Sequence, residues 1–426
     1  MRSSAALTNF FSVPTAAGGH AAAAYVLDRC HVSRPDAAFM AEQRRRADAR
    51  ILLITAGDRV PMTLPPAAKT SPPLTPTPTP PGSSGGSGSG GGSGGEGHLF
   101  FIHSPTESLS RPSYFLGVDR AKVPYFVASA VPVATPPVST AASRPPSAST
   151  SDTDAFLAAT LKDAGGGESA QPPAWRFVGL RSAFGLLPAD EALLACHAKC
   201  LLDWHQSASF CGYCGQRTEC HDGDSSRKCM ACGRSHYPRT NPVAIVLVLS
   251  RDGQRCVLGQ SRGRQQQMRL FSALAGFVDQ AESLEDAVRR EVKEESGLEL
   301  VRDGAAPGGG VVYHSSQPWP FPCNLMLGCV AWAAGEALSP DLNEMADVRW
   351  FAREDVSARL AALEAALDGG ADAAVSALMA DDGPGAASFV LPTRIAIANT
   401  LLHAWIAGAF DGKCPPAGGP KLPSSL

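Results

Sequence analysis

The sequence predicts a mixed α+β or α/β protein of two or three domains, on three observations. The chain has 426 residues, 44% of them apolar, enough for more than one core. Its longest strongly apolar run, Val243 to Leu249, is far below the roughly 18 residues needed to cross a bilayer, so a soluble protein with no membrane contact is expected. From Ala174 onward, strand-like apolar runs alternate with charged helical stretches. The 42 Gly and 35 Pro are unevenly spread: 8 Pro and 10 Gly lie in the 33 residues from Pro65 to Gly97. That excess is local, and the rest reads as globular. With 37 basic against 40 acidic residues, the net charge of −3 argues against a surface that holds long nucleic acid by counterion release. Contact with a nucleotide-sized or capped end stays open.

In chain order, residues 1–21 form an extension with Arg2, three serines by Ser12 and no acid before Asp28, similar to an organelle-transit segment. Residues 22–205 are expected to form an N-terminal domain. It begins with an extended start at Tyr25–Leu27, a charged helix over Asp36–Arg50 and a short buried strand at Ile51–Ile54. Low-complexity inserts follow at 65–97 and 131–151; neither has the apolar surface to fold, and loop closure costs little when the insert ends stay close. Between and after them come strands at His98–His103, Tyr114–Val118, Pro124–Ala130 and Phe177–Leu180, then a helix over Pro188–His205.

Two cysteine pairs, Cys211-Gly-Tyr-Cys214 and Cys229-Met-Ala-Cys232, lie 14 residues apart, and a glycine follows each. Two tight turns of this kind bring four thiolates to one tetrahedral ion, which predicts a structural zinc ribbon over 206–240. Two unrelated redox pairs would look the same one pair at a time. Cys220 and His221 lie between the pairs as competing ligands, whereas Cys196, Cys200, Cys256 and Cys329 read as buried apolar residues of a reducing compartment.

The third domain, 241–410, is expected to hold strands at Ala244–Leu249, Cys256–Gln260, Val311–His314, Leu325–Ala333 and Val348–Phe351, with helices over Leu284–Ser296 and Ile395–Ala409. The Ala-rich stretch Arg359–Ala387 is ambiguous, and 411–426 is a tail. On the first helix Glu291, Glu294 and Glu295 share one face within a turn. Such crowding suits a site for Mg²⁺ or Mn²⁺, although a run like this also fits a solvated acidic face. Further on, Ser316-Gln-Pro-Trp-Pro-Phe-Pro-Cys-Asn324 alternates three prolines with aromatics, which forbids helix and holds Trp319 and Phe321 on a stiff extended path. Rigid aromatics there can stack on a flat base or pack an edge loop into the core.

Gly276, five residues, Glu282, seven residues, then Arg290-Glu291-Val-Lys-Glu294-Glu295-Ser-Gly297-Leu298 resembles the Nudix box at every position. The Gln317–Asn324 segment is similar to the signature of the NADH pyrophosphatase family of Nudix enzymes, with Asn324 standing where that family has Ser. The resemblance implies a Nudix α/β/α sandwich preceded by a zinc ribbon and an N-terminal Nudix-like domain. It implies metal-dependent hydrolysis of the pyrophosphate of NADH or NAD⁺ to nicotinamide mononucleotide and AMP. Removal of NAD caps from RNA and hydrolysis of another nucleoside diphosphate derivative such as ADP-ribose are also permitted. By the same resemblance Glu291, Glu295, Glu344 and the Ala275 carbonyl would hold the catalytic metals, with Glu294 beside them. Arg290 would orient a glutamate and Glu282 would be structural. Tyr237 and Phe277 would sandwich a base, Tyr237 from the partner subunit of a homodimer. Gln317, Pro318, Trp319, Pro320, Phe321, Pro322, Cys323, Asn324 and Ala398 would contact substrate. The ending Ser424-Ser425-Leu426 lies one position from a peroxisomal address; the alternatives are the cytoplasm or an organelle reached through the N-terminus. A rival from another class is a zinc-ribbon nucleic-acid-binding or interaction protein with a dead hydrolase site.

Overall fold

The computed structural model describes residues 12–14, 20–22, 27–55, 58–63, 98–99, 101–103, 112–130, 175–184, 186–302, 310–368 and 389–414. The inserts expected at 131–151 and, but for 98–99 beyond its edge, at 65–97 lie outside them, as do most of 1–21, the extended start at 25–26 and the tail from 415. The chain forms two compact units, Ala24–Tyr237 and Pro238–Leu426, the second grouped with Met1–Ala23. Strands β1 (Ser12–Pro14) and β2 (His20–Ala22) pair antiparallel. Among the described residues no helix is long and apolar enough to cross a membrane.

In the first unit, α1 (Ala37–Arg45) starts where the Asp36 carboxylate accepts from the Ala38 N–H. It is shorter than the Asp36–Arg50 helix expected. Arg46 is already extended, its guanidinium bonded to Asp48, and Arg50 opens β3 (Arg50–Ile54). Strand β4 (Arg59–Thr63), unread in the sequence, carries buried Val60 and Met62 on either side of Pro61. The single strand expected at His98–His103 is two: β5 (His98–Leu99) pairs with β4, and β6 (Ile102–His103) pairs with β3, so the chain changes sheets between them. With β7 (Ser113–Val118), β8 (Pro124–Ser129) and β9 (Trp175–Gly179) these give two sheets, ordered β6-β3-β8-β7 and β5-β4-β9. Their core joins Met40 to Ile51, Leu53, Phe115, Phe126 and Phe177.

After α2 (Leu180–Ala183), α3 (Ala189–Ser207) leads into a small sheet of β10 (Thr218–His221), β11 (Ser226–Cys229) and β12 (Ser235–His236). The β10–β11 turn is pinned to the strands before it. Asp224 accepts from the Phe115 N–H at 3.0 Å and pairs with Arg44, and Arg34 Nε donates to the Gly223 carbonyl at 2.8 Å.

The second unit is built on β13 (Asn241–Leu249), which runs parallel to β17 (Asn324–Trp332) and antiparallel to β14 (Arg255–Ser261) and β15 (Leu274–Phe277). Strand β16 (Val311–Trp319) flanks β17 and β18 (Met345–Ala352) flanks β14. Alternation along β13 decides which helix covers which face. Ala244, Val246 and Val248 pack with Ala287, Val288 and Val292 of α5 (Leu284–Ser296), the short α4 (Arg264–Gln267) lying before it. Leu247 and Leu249 pack on the other side with Val356 and Leu360 of α6 (Arg353–Asp368) and with Leu401, Leu402 and Trp405 of α7 (Ile397–Ile406). The result is the expected α/β/α sandwich. Helix α6 resolves the ambiguous Ala-rich stretch as far as Asp368 and starts earlier than expected; residues 369–388 lie outside the described ones.

Candidate active site

Helix α5 spans the residues its sequence predicts, because both ends are capped. Ser283 Oγ accepts from the Asp286 N–H, and Gly297 closes the last turn with φ of 77°. Its buried face mixes Ala287, Val288 and Val292 with Glu291 and Glu295, so the two carboxylates are carried inward by the packing of their apolar neighbours. They meet strand β15. Glu295 Oε2 accepts from the Ala275 N–H at 3.0 Å, and the Glu291 carboxylate lies over Gly276, where a Cβ would come within 2.0 Å of it. Any larger residue at 276 displaces Glu291.

Arg290 ties this arrangement together. Its Nε and Nη2 donate to the two oxygens of Glu282, each at 2.8 Å, and Nη2 also donates to the Phe277 carbonyl at 2.8 Å. Nη1 donates to Glu291 at 2.8 Å and to Glu294 at 3.1 Å. The fork holds the Glu282 carboxyl down at about 2. Glu295 goes the other way. Burial raises its carboxyl to about 8, and Glu291, Glu344 and Glu294 add to the rise. Burial also raises Glu291, against Arg290, with Glu294 and Glu344 again adding. Glu344, exposed just before β18, is therefore drawn electrostatically into the same cluster although it lies far away in sequence. Buried carboxyls that also feel one another's charge on a half-open face form a hard-oxygen donor set that fits a divalent cation, whose charge would oppose both upward shifts.

The β16–β17 hairpin carries the Pro-aromatic segment. It is extended to Trp319, as the prolines predict, and then turns through Pro320–Cys323. Trp319 and Phe321 meet edge to face with centroids 5.5 Å apart, both half-buried; Pro318 and Pro322 are exposed and Pro320 is buried. Asn241, which no sequence signal singled out, holds the turn. Its N–H donates to the Cys323 carbonyl at 3.0 Å and its Nδ2 to Asn324 Oδ1 at 3.3 Å. Gln317 is completely buried, and both ends of its amide are engaged: Nε2 donates to the Ile395 carbonyl at 2.9 Å and Oε1 accepts from the Ile397 N–H at 2.8 Å. It thus caps α7 from a neighbouring strand. Ala398, in the first turn of α7, is buried with Ile245, Ala273 and Ile397, against which Ala275 packs. Phe277 is exposed beside the glutamates. Tyr237, also exposed, belongs to the first unit.

The four cysteines converge as their spacing predicts. All four sulfurs of Cys211, Cys214, Cys229 and Cys232 lie within 4.8 Å of one another. The two turns are copies. The Gly215 N–H donates to the Cys211 carbonyl and the Gly233 N–H to the Cys229 carbonyl, both at 2.8 Å, with φ of 72° and 74° at the two glycines. Backbone N–H groups of Cys214 and Tyr213 bring the Cys211 thiol down to about 7, and those of Cys232 and Ala231 do the same for Cys229. Four sulfur donors in this geometry suit a tetrahedral soft ion such as Zn²⁺. Neither competitor joins it: Cys220 lies against Arg227 and His205, and His221 pairs with Asp222.

Comparison with known proteins agrees with this layout. Residues 239–369 match the NUDIX domain, and residues 96–204 match the NADH pyrophosphatase-like rudimentary NUDIX domain. The chain is 42% identical over 182 residues to Nudix hydrolase 19, chloroplastic, of Arabidopsis thaliana, covering 41% of this chain and 39% of that one. It is 37% identical over 228 residues to the NAD-capped RNA hydrolase NUDT12 of Homo sapiens, covering 52% and 43%. To the NAD-capped RNA hydrolase NudC of Deinococcus radiodurans it is 40% identical over 185 residues, covering 43% and 63%. The matches thus span less than two thirds of the length of each of these relatives. The chain carries a Nudix domain and, ahead of it, an NADH pyrophosphatase-like rudimentary Nudix domain, with the four-cysteine ribbon between the two in sequence.

Proposed function

We propose that this chain hydrolyses the pyrophosphate bond of NADH or NAD⁺, releasing nicotinamide mononucleotide and AMP. The observation that carries the reading is the pair Glu295 against Ala275 and Glu291 against Gly276, braced by Arg290, with Glu344 near enough to act on both carboxyls. Mg²⁺ or Mn²⁺ bound there would neutralise the pyrophosphate oxygens and acidify the attacking water. Glu291 and Glu295, on successive turns of α5, would hold the cation, joined by Glu344 and the Ala275 carbonyl. Glu294, one oxygen bonded to Arg290 and its side chain about half exposed, keeps a second oxygen free to take a proton. Phe277 at the end of β15, and Trp319 and Phe321 on a hairpin that Gln317 and Asn241 hold in place, would present rings to a base. Zn²⁺ held by the four cysteines would be structural, because four sulfur ligands leave no position for water.

Product analysis on a panel of NADH, NAD⁺, ADP-ribose and diadenosine compounds with Mg²⁺ or Mn²⁺ tests the assignment. NADH left intact while another member is cleaved overturns it. The names of the human and Deinococcus relatives favour a second reading, removal of NAD caps from RNA. Its rate should fall steeply with salt while cleavage of free NADH does not. The reading extends to a homodimer that shares Tyr237 between sites, checked by sedimentation, and to peroxisomal delivery through Ser424-Ser425-Leu426, checked with a reporter fusion. Relatives bearing chloroplastic and mitochondrial names make delivery to those organelles the competing outcome.

A further inference from the structure

The metal-cluster end of the ribbon displays large side chains that its own fold leaves uncovered. Phe210 directly precedes the first cysteine turn, and Tyr213 and Met230 sit at the tips of the two turns; they are 50%, 70% and 64% exposed. Two of these side chains carry a guanidinium. Arg217 lies over the Phe210 ring at 5.1 Å and Arg234 over the Tyr213 ring at 3.9 Å. The two pairs are neighbours, since Phe210 and Arg217 bridge across the first turn, and Arg234, which closes the second turn, reaches Tyr213 in the first. Arg217 and Arg234 are both exposed, and among the described residues neither forms an ion pair. The exposed acid nearby, Glu219, stands opposite Lys228 in the strand register.

Packing does not account for aromatics left this open, and stacked arginines without counter-charges keep their affinity for anions. We propose that this face binds single-stranded nucleic acid, with bases stacking on Tyr213 and Phe210 while Arg217 and Arg234 neutralise adjacent phosphates. Alternating flat rings and cations match the alternating bases and phosphates of an unpaired strand. An apolar protein partner would leave both guanidinium charges unmatched. The net charge of −3 limits the contact to a short, local one. The identity of the strand as the body of a capped RNA rests on the second reading above; the binding itself does not.

The test uses the full-length, zinc-loaded protein without Mg²⁺ or Mn²⁺, titrated into a fluorescein-labelled single-stranded RNA of roughly 15 nucleotides and its duplex, with anisotropy read across a salt series. The single strand should bind more tightly than the duplex. Tyr213→Ala should weaken binding about tenfold, and Tyr213→Leu, which keeps bulk without a stacking face, should do the same. Replacing Arg217 and Arg234 by Gln should lower the salt slope by about 0.7 per arginine. Zinc content and NADH hydrolysis, measured separately with metal, should be unchanged in every variant. Failure of the wild type to bind, or variants that bind as tightly as wild type, overturns the proposal. So does a dimer that these substitutions convert to monomers, which would make the face a contact between copies. Loss of NADH hydrolysis in the wild type with RNA binding intact would instead strike the assigned reaction alone.

Discussion

The chain gathers two sets of metal-type donors, and they differ in every respect that matters. The four thiols are brought together by two short turns within 22 residues, so their geometry is almost entirely local. The carboxylates come from one helix and a residue about 50 positions away, braced by an arginine and fitted against a strand with no Cβ at Gly276. The soft set, four sulfurs within 4.8 Å of one another, leaves no open position and on the reading above would serve folding, whereas the hard set is half-open and pays for burying carboxyls beside one another. Substitutions in the two should therefore fail differently. Glu295→Gln should lower NADH turnover by at least about 100-fold, the upper end of what loss of a group supporting a metal ligand costs. Its melting temperature should stay level or rise, because a crowded, buried carboxyl pushed up to about 8 becomes neutral. Equal turnover in that variant would remove Glu295 from the metal site. Cys229→Ser should do the reverse, lowering zinc content and the melting temperature by several degrees while the activity of the fraction still folded persists. Unchanged zinc content would break the contrast.

That difference also governs what could be read in advance. The ribbon was legible because its ligands lie in two short repeats, and α5 because capping residues and an apolar stripe coincide with the acidic face. The alternation of strands and helices predicts a mixed α/β class, the sandwich itself is what the Nudix resemblance implies, and packing on both sides of β13 agrees with it. Helix α1 was overextended because Arg46 to Arg50 has helical composition, yet Arg50 is claimed by pairing with β8 and β6. Strand β4 was hidden by Pro61, which sits in its middle and still leaves Val60 and Met62 inward. Contacts made at long range left no local trace: Asp224 with Arg44, Asn241 with the hairpin turn, and Gln317 with α7. Gln317 was assigned to substrate by resemblance, but its amide is consumed within the fold, which makes it a positioning residue for the aromatic hairpin. Gln317→Met, similar in size, orphans the Ile397 N–H and the Ile395 carbonyl. It should cost about 1–3 kcal/mol of stability and raise KM for NADH more than it lowers kcat. A fall in kcat at constant KM would return Gln317 to the chemistry.

The smallest expected effect isolates the brace from the metal site it supports. The Arg290 fork lowers the Glu282 carboxyl from 4.5 to about 2. A carboxyl depressed on folding contributes stability that is fully present above its unfolded value and is lost as pH falls through the folded one, so the window runs from about pH 4.5 down to about pH 2. Because Glu282 is near the surface, water and salt screen the pair, and its share of stability is small at neutral pH. Glu282→Gln keeps the shape of the side chain but loses the charge. Its melting temperature should run slightly below wild type at pH 7 and converge with it as pH falls through that window, the gap narrowing further in 1 M salt. Turnover should fall only as far as Arg290 lets Glu291 drift from Gly276, and much less than in Glu295→Gln. A pH-independent gap would mean that Glu282 acts through packing, and Arg290 would then owe its position to Glu291, Glu294 and the Phe277 carbonyl alone.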